Sequence, residues 1–522
     1  MDSALAHILE ELRTLRAEAA ARDVSLRIST ESLRAEAAAR DAVLRAQLAT
    51  LLEGKVETPL SPSYASVGEE ALAVLAASGR ITTAIEPPAA AGVDESAPVA
   101  TPDDIVHLLA CTSERNLVAT ITPLLRAARG LDGHLNFADP CARVLVKSES
   151  GGWLDALHAP LPASHLKRPD LFVTWSPFWS GHMDPALGAI GKLAARALQL
   201  DGCVREFYEA KLGEGELTAS DFGQLVDYHS RVKGAVRGLL FNARAFWLYE
   251  SVRSHPVALV KGEWRARGSR ALLRDFFAAT PEPPLVPLLR HLCHELHVAP
   301  CRVTAAGVES ASAAADGMER TSAFLGAGGS ARVFCVVSEG AAAVQALKAS
   351  TTLSRADLEY EYSMLQRAAN AGAPVVSVVS KSLVFFVNNN GAHCGGGFLL
   401  RDVHTRAVLD SSARCAAAFV ALCSLHAAGF AHGDARLPNL LACKRGEVVK
   451  FLWIDLREAA FCTLESAQRA DVRTLAASVL ASGTQGTVLP ASVNAALGDI
   501  PAGGEEAYVA LAAAVWSAFT AV

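Results

Sequence analysis

Residues 425–456 hold side chains of the kinds that phosphoryl transfer needs. LHAAGFAHGDARLPNLL (425–441) spaces His432, Asp434 and Asn439 as H-x-D-x-x-x-x-N, and VVKFLWIDL (448–456) closes an apolar strand on Asp455, 21 residues after Asp434. Moving a phosphoryl group from a nucleotide requires a carboxylate at the attacking hydroxyl and an amide and a carboxylate on Mg²⁺. It also requires a lysine on the phosphates, held by a glutamate. Upstream, FLGAGGSARVF (324–334) is a glycine-rich loop between apolar runs. Its Gly326 and Gly328 would let backbone N–H groups approach phosphate oxygens, although such a loop also serves simply to turn a hairpin. VQALKAS puts Lys348 at the end of a strand, and the helix ADLEYEYSMLQRA carries Glu361. All the parts occur in the order the chemistry uses them.

A second set lies further towards the N-terminus. HLKRPDLFVTW (165–175) starts an apolar strand on Asp170, and VREFYEAK (204–211) ends another on Glu209 and Lys211. Residues i and i+2 of a strand share a face, so Glu209 and Lys211 project together while Ala210 points into the core. Two carboxylates and a lysine can bind Mg²⁺ and position or deprotonate a water for attack on a phosphodiester. The helix DFGQLVDYHSRV follows, with Gln224 and Tyr228 one turn apart, and Glu114 on SERNLVATITPLLRAA is an additional upstream acid. Arg253, Lys261, Arg265, Arg267, Arg270 and Arg274 form a basic run after this set, either a contact for a phosphate backbone or a solvated face. Trp247 and Trp264 lie near that run and are expected in the core.

The first set resembles the protein-kinase-like fold over about residues 320–522. That resemblance implies ATP and Mg²⁺ as cofactors, with Gly326 and Gly328 over the phosphates and Lys348 on the α- and β-phosphates, paired with Glu361. Asp434 would orient or deprotonate the acceptor, and Asn439 and Asp455 would hold the metal. The chain departs from the pattern in several places. Ala331 stands where a third glycine is usual, Gly433 replaces the arginine of H-R-D, and LREAAFCTLESAQRADVRTLA after Asp455 has neither the D-F-G glycine nor an A-P-E. Asp471, which resembles the aspartate that begins the next C-lobe helix, comes only 16 residues after Asp455. The missing arginine and the missing activation segment agree with each other. They suggest an enzyme not switched by loop phosphorylation, a trimmed phosphotransferase of the small-molecule type, or a pseudokinase.

The second set resembles the PD-(D/E)xK nuclease superfamily: Pro169-Asp170, then Glu209-Ala210-Lys211 with the acids 39 residues apart, then a Q-x-x-x-Y helix. The resemblance implies Asp170 and Glu209, with Glu114, as metal ligands and Lys211 as the catalytic lysine. A nuclease-like module fused to a kinase-like one resembles Crinkler-type effectors, without an LFLAK-type header.

These residues need scaffolds. Segments 113–129 and 220–233 read as helices, and LFVTW, VREFYEA and GLLFNARAFWLYE read as strands, so 104–300 is expected to be a restriction-nuclease-like α/β domain. Residues 301–320 read as a linker, and 321–522 as a bilobal protein-kinase-like domain of α/β or α+β type. LRAEAAARDVSLR (15–27) returns as LRAEAAARDAVLR (33–45). That 18-residue period is five helical turns, so 1–52 is either a self-associating coiled coil or a solvated alanine-rich helix. Residues 53–103, rich in Pro, Ala and acid, read as a linker interrupted by a short helix near 68–78.

Composition narrows the classes. The net charge is −6 overall, made of −7 over 1–103, +2 over 104–300 and −1 over 301–522, so DNA or RNA would meet the middle domain. Eleven cysteines without a CxxC pair suggest reduced thiols, and no apolar run reaches membrane-spanning length. With no apolar core of signal-peptide length at the start, the expectation is a chain of the cytoplasm or nucleus that does not enter a membrane. Three readings stay open. The first is an ATP/Mg-dependent phosphotransferase carrying a nucleic-acid-targeting domain, the second a Mg-dependent nuclease regulated by an ATP-binding pseudokinase, and the third a non-catalytic coiled-coil scaffold.

Overall fold

The computed structural model describes residues 64–83, 97–129, 143–147, 170–175, 203–309 and 323–520, apart from short stretches within the longer spans, and a few single positions besides. The chain divides into two units, residues 1–66 and 67–522, and the sheets of the described residues lie in the second. The repeat expected to form a helix over 1–52 lies outside the described residues, as do 53–63 and 84–96 of the expected linker. The fold is mixed α/β with several sheets. No helix among the described residues is long and apolar enough to cross a membrane.

The first sheet has seven strands: β1 (Ile81–Thr83), β2 (Arg143–Lys147), β3 (Leu171–Trp175), β4 (Glu206–Ala210), β5 (Arg237–Phe241), β6 (Ala245–Val252) and β7 (His255–Glu263). Their order is β1-β7-β6-β5-β4-β3-β2. β4 pairs parallel with β5 and β1 parallel with β7, and the other pairings are antiparallel. β3, β4 and β5 are buried along their whole length, which explains why they read as near-continuous apolar runs rather than alternating ones. The helices Glu114–Arg129 and Ser269–Ala278 cover one face through Leu117, Ile121, Leu125, Leu273 and Phe277, packed with Tyr208 and Ala210 of β4. The helix Ala219–Arg231 covers the other face, where Phe222, Leu225 and Tyr228 meet Phe207.

Two expectations change here. GLLFNARAFWLYE is two strands, because the Asn242 side-chain oxygen accepts from the backbone N–H groups of Arg244 and Ala245 and folds β5 back onto β6. Part of the expected linker belongs to the fold: β1 extends the sheet, and the helix Tyr64–Ala77 packs against the helix Ala219–Arg231. At Gly68 the two helices approach so closely that a Cβ would lie 1.7 Å from the Ala219 carbonyl oxygen, which restricts the position to glycine.

The helix Leu285–Glu295 leads into β8 (Val298–Pro300) and the hairpin β9 (Arg302–Thr304) and β10 (Gly307–Glu309). Most of the expected 301–320 linker beyond this hairpin lies outside the described residues. The second large sheet contains β11 (Phe324–Ala327), β12 (Arg332–Ser338), β13 (Val344–Ser350), β14 (Val384–Val387) and β15 (His393–Leu400). The order is β11-β12-β13-β15-β14, with β8 paired to β12. The helix Arg355–Asn370, started by a Ser354/Asp357 capping box, packs its Leu358 and Leu365 into a core with Ala346 and Phe398. Beyond it come β16 (Thr405–Arg406), β17 (Phe430–Ala431), β18 (Leu440–Arg445), β19 (Val448–Trp453) and β20 (Ala460–Phe461). The helices Ser412–Ala427, Glu465–Ala481, Ala491–Leu497 and Gly504–Thr520 complete this part.

Residues 285–300, expected to close the middle domain, instead pack on the second sheet. Leu288, Leu289 and Leu292 are fully buried in one core that contains Phe207, Leu240 and Tyr249 of the first sheet and Phe334, Leu347 and Leu399 of the second. Gly397 makes the fit possible, because a Cβ there would come within 2.8 Å of Leu292 Cδ1. Replacing Leu292 with alanine is expected to cost about 2–5 kcal/mol. In urea titrations of the whole chain, far-UV circular dichroism and tryptophan fluorescence should shift together. A shift in one signal alone would show that the two sheets do not share a core.

Candidate functional sites

Asp170, immediately before β3, and Glu209, in β4, meet because the two strands run antiparallel side by side. The Ala210 N–H donates to Asp170 Oδ2 at 2.8 Å, and the Asp170 N–H donates to Glu209 Oε2 at 3.3 Å. Each carboxylate is thus held by the neighbouring strand's backbone. Lys211 Nζ bonds Glu209 Oε1 at 3.2 Å and Gln224 Oε1 at 2.9 Å, and Gln224 Nε2 returns to Glu209 Oε1 at 2.6 Å and to the Tyr228 hydroxyl at 2.6 Å. Gln224 therefore fixes the lysine–glutamate pair from the helix.

Glu114 starts its own helix within electrostatic reach of Lys211 and Asp170, accepts from the Leu212 N–H, and has its carboxyl raised mainly by burial. Burial and the nearby Asp170 push Glu209 up to about 8, against the pull of Lys211. Burial pulls the Lys211 ammonium down, but Glu209 and Glu114 outweigh it and the net direction is upward. Among the described residues no three or more His, Cys, Asp or Glu side chains converge as a metal-holding group. The site is therefore a pair of carboxylates with a lysine, and Glu114 stands beside it.

Two members of the basic run already have acidic partners. Lys261 is ion-paired with Glu216 and lies over the Trp247 ring, and Arg274 pairs with Asp275, while Arg253 lies outside the described residues. Trp247 and Trp264 are core residues, and Trp264 Nε1 donates to the Asn242 carbonyl at 2.8 Å.

The second cluster forms where β13, the helix Arg355–Asn370 and the turn after β19 converge. Lys348 Nζ bonds Glu361 Oε1 at 2.5 Å and Asp455 Oδ1 at 3.0 Å. Burial pulls this lysine down, and the two carboxylates raise it above its ordinary value. Burial raises Glu361, despite Lys348. Asp455 ends below the usual carboxylate range, because Lys348 outweighs its burial. Asp455 sits at φ +62°, the left-handed region that few non-glycine residues adopt.

Asn439 Nδ2 donates to the Asp434 carbonyl and to its Oδ2, both at 2.9 Å. Since both partners only accept, they fix which edge of the Asn439 amide is the nitrogen. His432 is structural. Its Nε2–H donates to the Ile454 carbonyl and its Nδ1 accepts from the Asp434 N–H, a neutral tautomer that burial favours by lowering its pKa. Asp471, within the helix Glu465–Ala481 rather than at its start, accepts from the backbone of His432 and Gly433 and bonds His426 Nε2. Gly326 and Gly328 stand in the β11–β12 hairpin, whose turn is closed by the Gly328 N–H to the Ala331 carbonyl at 2.9 Å.

Two arginines that the motifs did not single out reach these groups. Arg436 Nε bonds Asp434 Oδ2 at 3.0 Å, and Arg457 Nη1 donates to Ser330 Oγ at 3.1 Å. Arg436 lies two residues from Asp434, between it and Asn439, so its position was a readable signal. Arg457 gave none, because its partner is 127 residues away.

The Glu209 carboxyl yields a pH test. Its folded pKa, about 8, lies above its ordinary value, so between about pH 4.5 and 8 the unfolded chain releases a proton that the folded chain keeps. Stability should therefore fall as pH rises through that window. Glu209→Gln, which cannot ionise, should flatten the fall in Tm measured by thermal scans from about pH 5 to 8.5. An equal fall in the variant would assign the titration to another group.

No known protein family and no curated protein matches this chain. Among solved structures, 1125 chains are similar to part of it. One of them, described as WaaP in complex with acyl carrier protein, shares 15% identity at a TM-score of 0.23, over 30% of this chain and 70% of that one.

Proposed function

We propose that residues 321–522 form an ATP- and Mg²⁺-dependent phosphotransferase of the protein-kinase-like type. The observation that carries this reading is Lys348 bonded at once to Glu361 and Asp455, with Asn439 bonded to Asp434 and, through its backbone carbonyl, to the N–H of Ile454 beside Asp455. Lys348 binds inner phosphates of the nucleotide and Glu361 keeps it aimed. The β11–β12 hairpin covers the phosphates with backbone N–H groups. Asp434, steadied by Asn439 and Arg436, takes the proton of the acceptor hydroxyl. Asp455 and the Asn439 amide oxygen suit Mg²⁺, which is commonly held by few side chains and by substrate phosphates and supplies charge neutralisation when bound. The helix Glu465–Ala481 begins ten positions after Asp455. So short a connection leaves little chain for docking a peptide and favours a small-molecule acceptor.

A second activity is favoured by the Lys211–Glu209–Gln224 constellation: Mg²⁺-dependent phosphodiester cleavage in DNA or RNA by the middle module. Asp170 and Glu209 form a two-carboxylate pair that fits Mg²⁺, with Glu114 as a nearby acid. Lys211 stabilises charge on the scissile phosphate. The tandem supports a Crinkler-type architecture, and the 1–52 repeat supports self-association.

Asp455→Ala is expected to abolish Mg-ATP binding or turnover, and unchanged ATP hydrolysis by it would sink the phosphotransferase reading. With supercoiled plasmid and Mg²⁺, Lys211→Ala should lose cleavage while still binding DNA. Undiminished cutting would remove that lysine from the mechanism.

A further inference from the structure

The turn after Asp455 carries an arginine that neither proposed activity uses. Arg457 follows Asp455 by two residues and begins the short 3-10 turn Leu456–Glu458 with Leu456. Its guanidinium is about a third exposed, bonding Ser330 Oγ through Nη1 at 3.1 Å and its neighbour Glu458 through Nη2 at 3.2 Å. Its charge reaches inward too, helping to hold Asp455 low and acting on Glu361. It therefore spans the gap between the tip of the glycine-rich hairpin and the buried Lys348 cluster.

The hairpin tip is otherwise fixed from below. The Ser330 carbonyl accepts from the Ser350 hydroxyl at 2.5 Å and from the Thr352 hydroxyl at 3.1 Å. The Arg457 bond is the one link between the Ser330 side chain and the opposite wall that the described residues show. Nε and Nη2 of the guanidinium hold the exposed Glu458 carboxylate, while Nη1 meets only a neutral hydroxyl, a weak partner for a donor that matches phosphate oxygens.

We infer that Arg457 is a ligand for the terminal phosphate of the bound nucleotide, exchanging the Ser330 hydroxyl for that phosphate. Depth sets which phosphate it reads. Lys348 is buried against Glu361 and Asp455 and takes the inner phosphates, while the more exposed Arg457 meets the outermost one. The site thereby discriminates nucleoside triphosphate from diphosphate. This inference rests on the nucleotide reading of the same site.

Calorimetric titration of the full chain with Mg-ATP and Mg-ADP tests it. A charge-assisted hydrogen bond of about 1.5–3 kcal/mol corresponds to roughly 10- to 150-fold in affinity. Arg457→Ala should weaken ATP by that factor and ADP by less than about threefold, and Arg457→Lys should recover part of the loss. Ser330→Ala, which removes the competing partner, should tighten ATP about twofold or more. Equal losses for ATP and ADP in Arg457→Ala, or weaker ATP binding by Ser330→Ala, would show that the arginine only braces the hairpin. Absence of ATP binding by the unaltered protein would overturn the nucleotide reading itself, and this inference with it.

Discussion

A buried ammonium organises the C-terminal half of the molecule. Lys348 is a central-strand residue with almost no solvent contact, and an isolated charge there would cost several kcal/mol. Two carboxylates on different elements compensate it, Glu361 from the helix Arg355–Asn370 and Asp455 from the turn after β19. That one ammonium ties sheet, helix and turn to a common point. The compensation is uneven: Glu361 Oε2, also buried, has no hydrogen-bond partner of its own. Removing Lys348 would leave two carboxylates close together with no cation between them, so the ammonium holds the triad together.

The segment around Gly433 shows how the same constraint shaped its surroundings. Gly433 lies at φ +81°, and a Cβ there would fall 2.3 Å from the Glu458 carbonyl oxygen. The turn after Asp455 folds directly onto this position and excludes any side chain, an arginine included. The glycine in H-G-D and the short connection after Asp455 are thus one structural fact. Asp471 completes the arrangement from beneath by accepting the His432 and Gly433 N–H groups. The loop carrying Asp434 is therefore fixed by a buried carboxylate, with no phosphorylated residue required.

Much of this was legible because the groups lie close in sequence or on strongly patterned elements. Asp170 opens one apolar strand and Glu209 and Lys211 close another, whose alternation puts Glu209 on the helix side and Ala210 on the other, and Gln224 follows one loop later. Asp434 and Asn439 are separated by a single 3-10 turn, Leu437–Asn439. What stayed hidden depends on contacts between distant segments. A three-residue strand such as Ile81–Thr83 carries too little pattern to be read, and its place is set by pairing with β7. The apolar stripe of Leu285–Glu295 announced a helix, yet nothing in it says which of two sheets it covers. Arg457 reads as an ordinary surface arginine until the hairpin folds over it.

The helix Leu285–Glu295 packs on the second sheet and lies in one buried core with residues of the first, and this changes what the two sites are to each other. The core it completes contains Leu347 and Ala349, the residues flanking Lys348, and also Phe207 and Tyr228, beside Glu209 and Gln224. Separating the modules would expose that apolar surface, so they share stability and behave as one body rather than as beads on a linker. Contiguity alone does not make one site control the other, since coupling requires an element with two arrangements that both sites bias. The Lys348 triad is anchored on β13, in this core, and the β11–β12 hairpin enters the same core through Phe324 and Phe334 while its tip is held by Ser350, Thr352 and Arg457. An effect of nucleotide on the middle module would have to pass through this shared core, which β13 enters through Leu347 and Ala349 and the hairpin through Phe324 and Phe334.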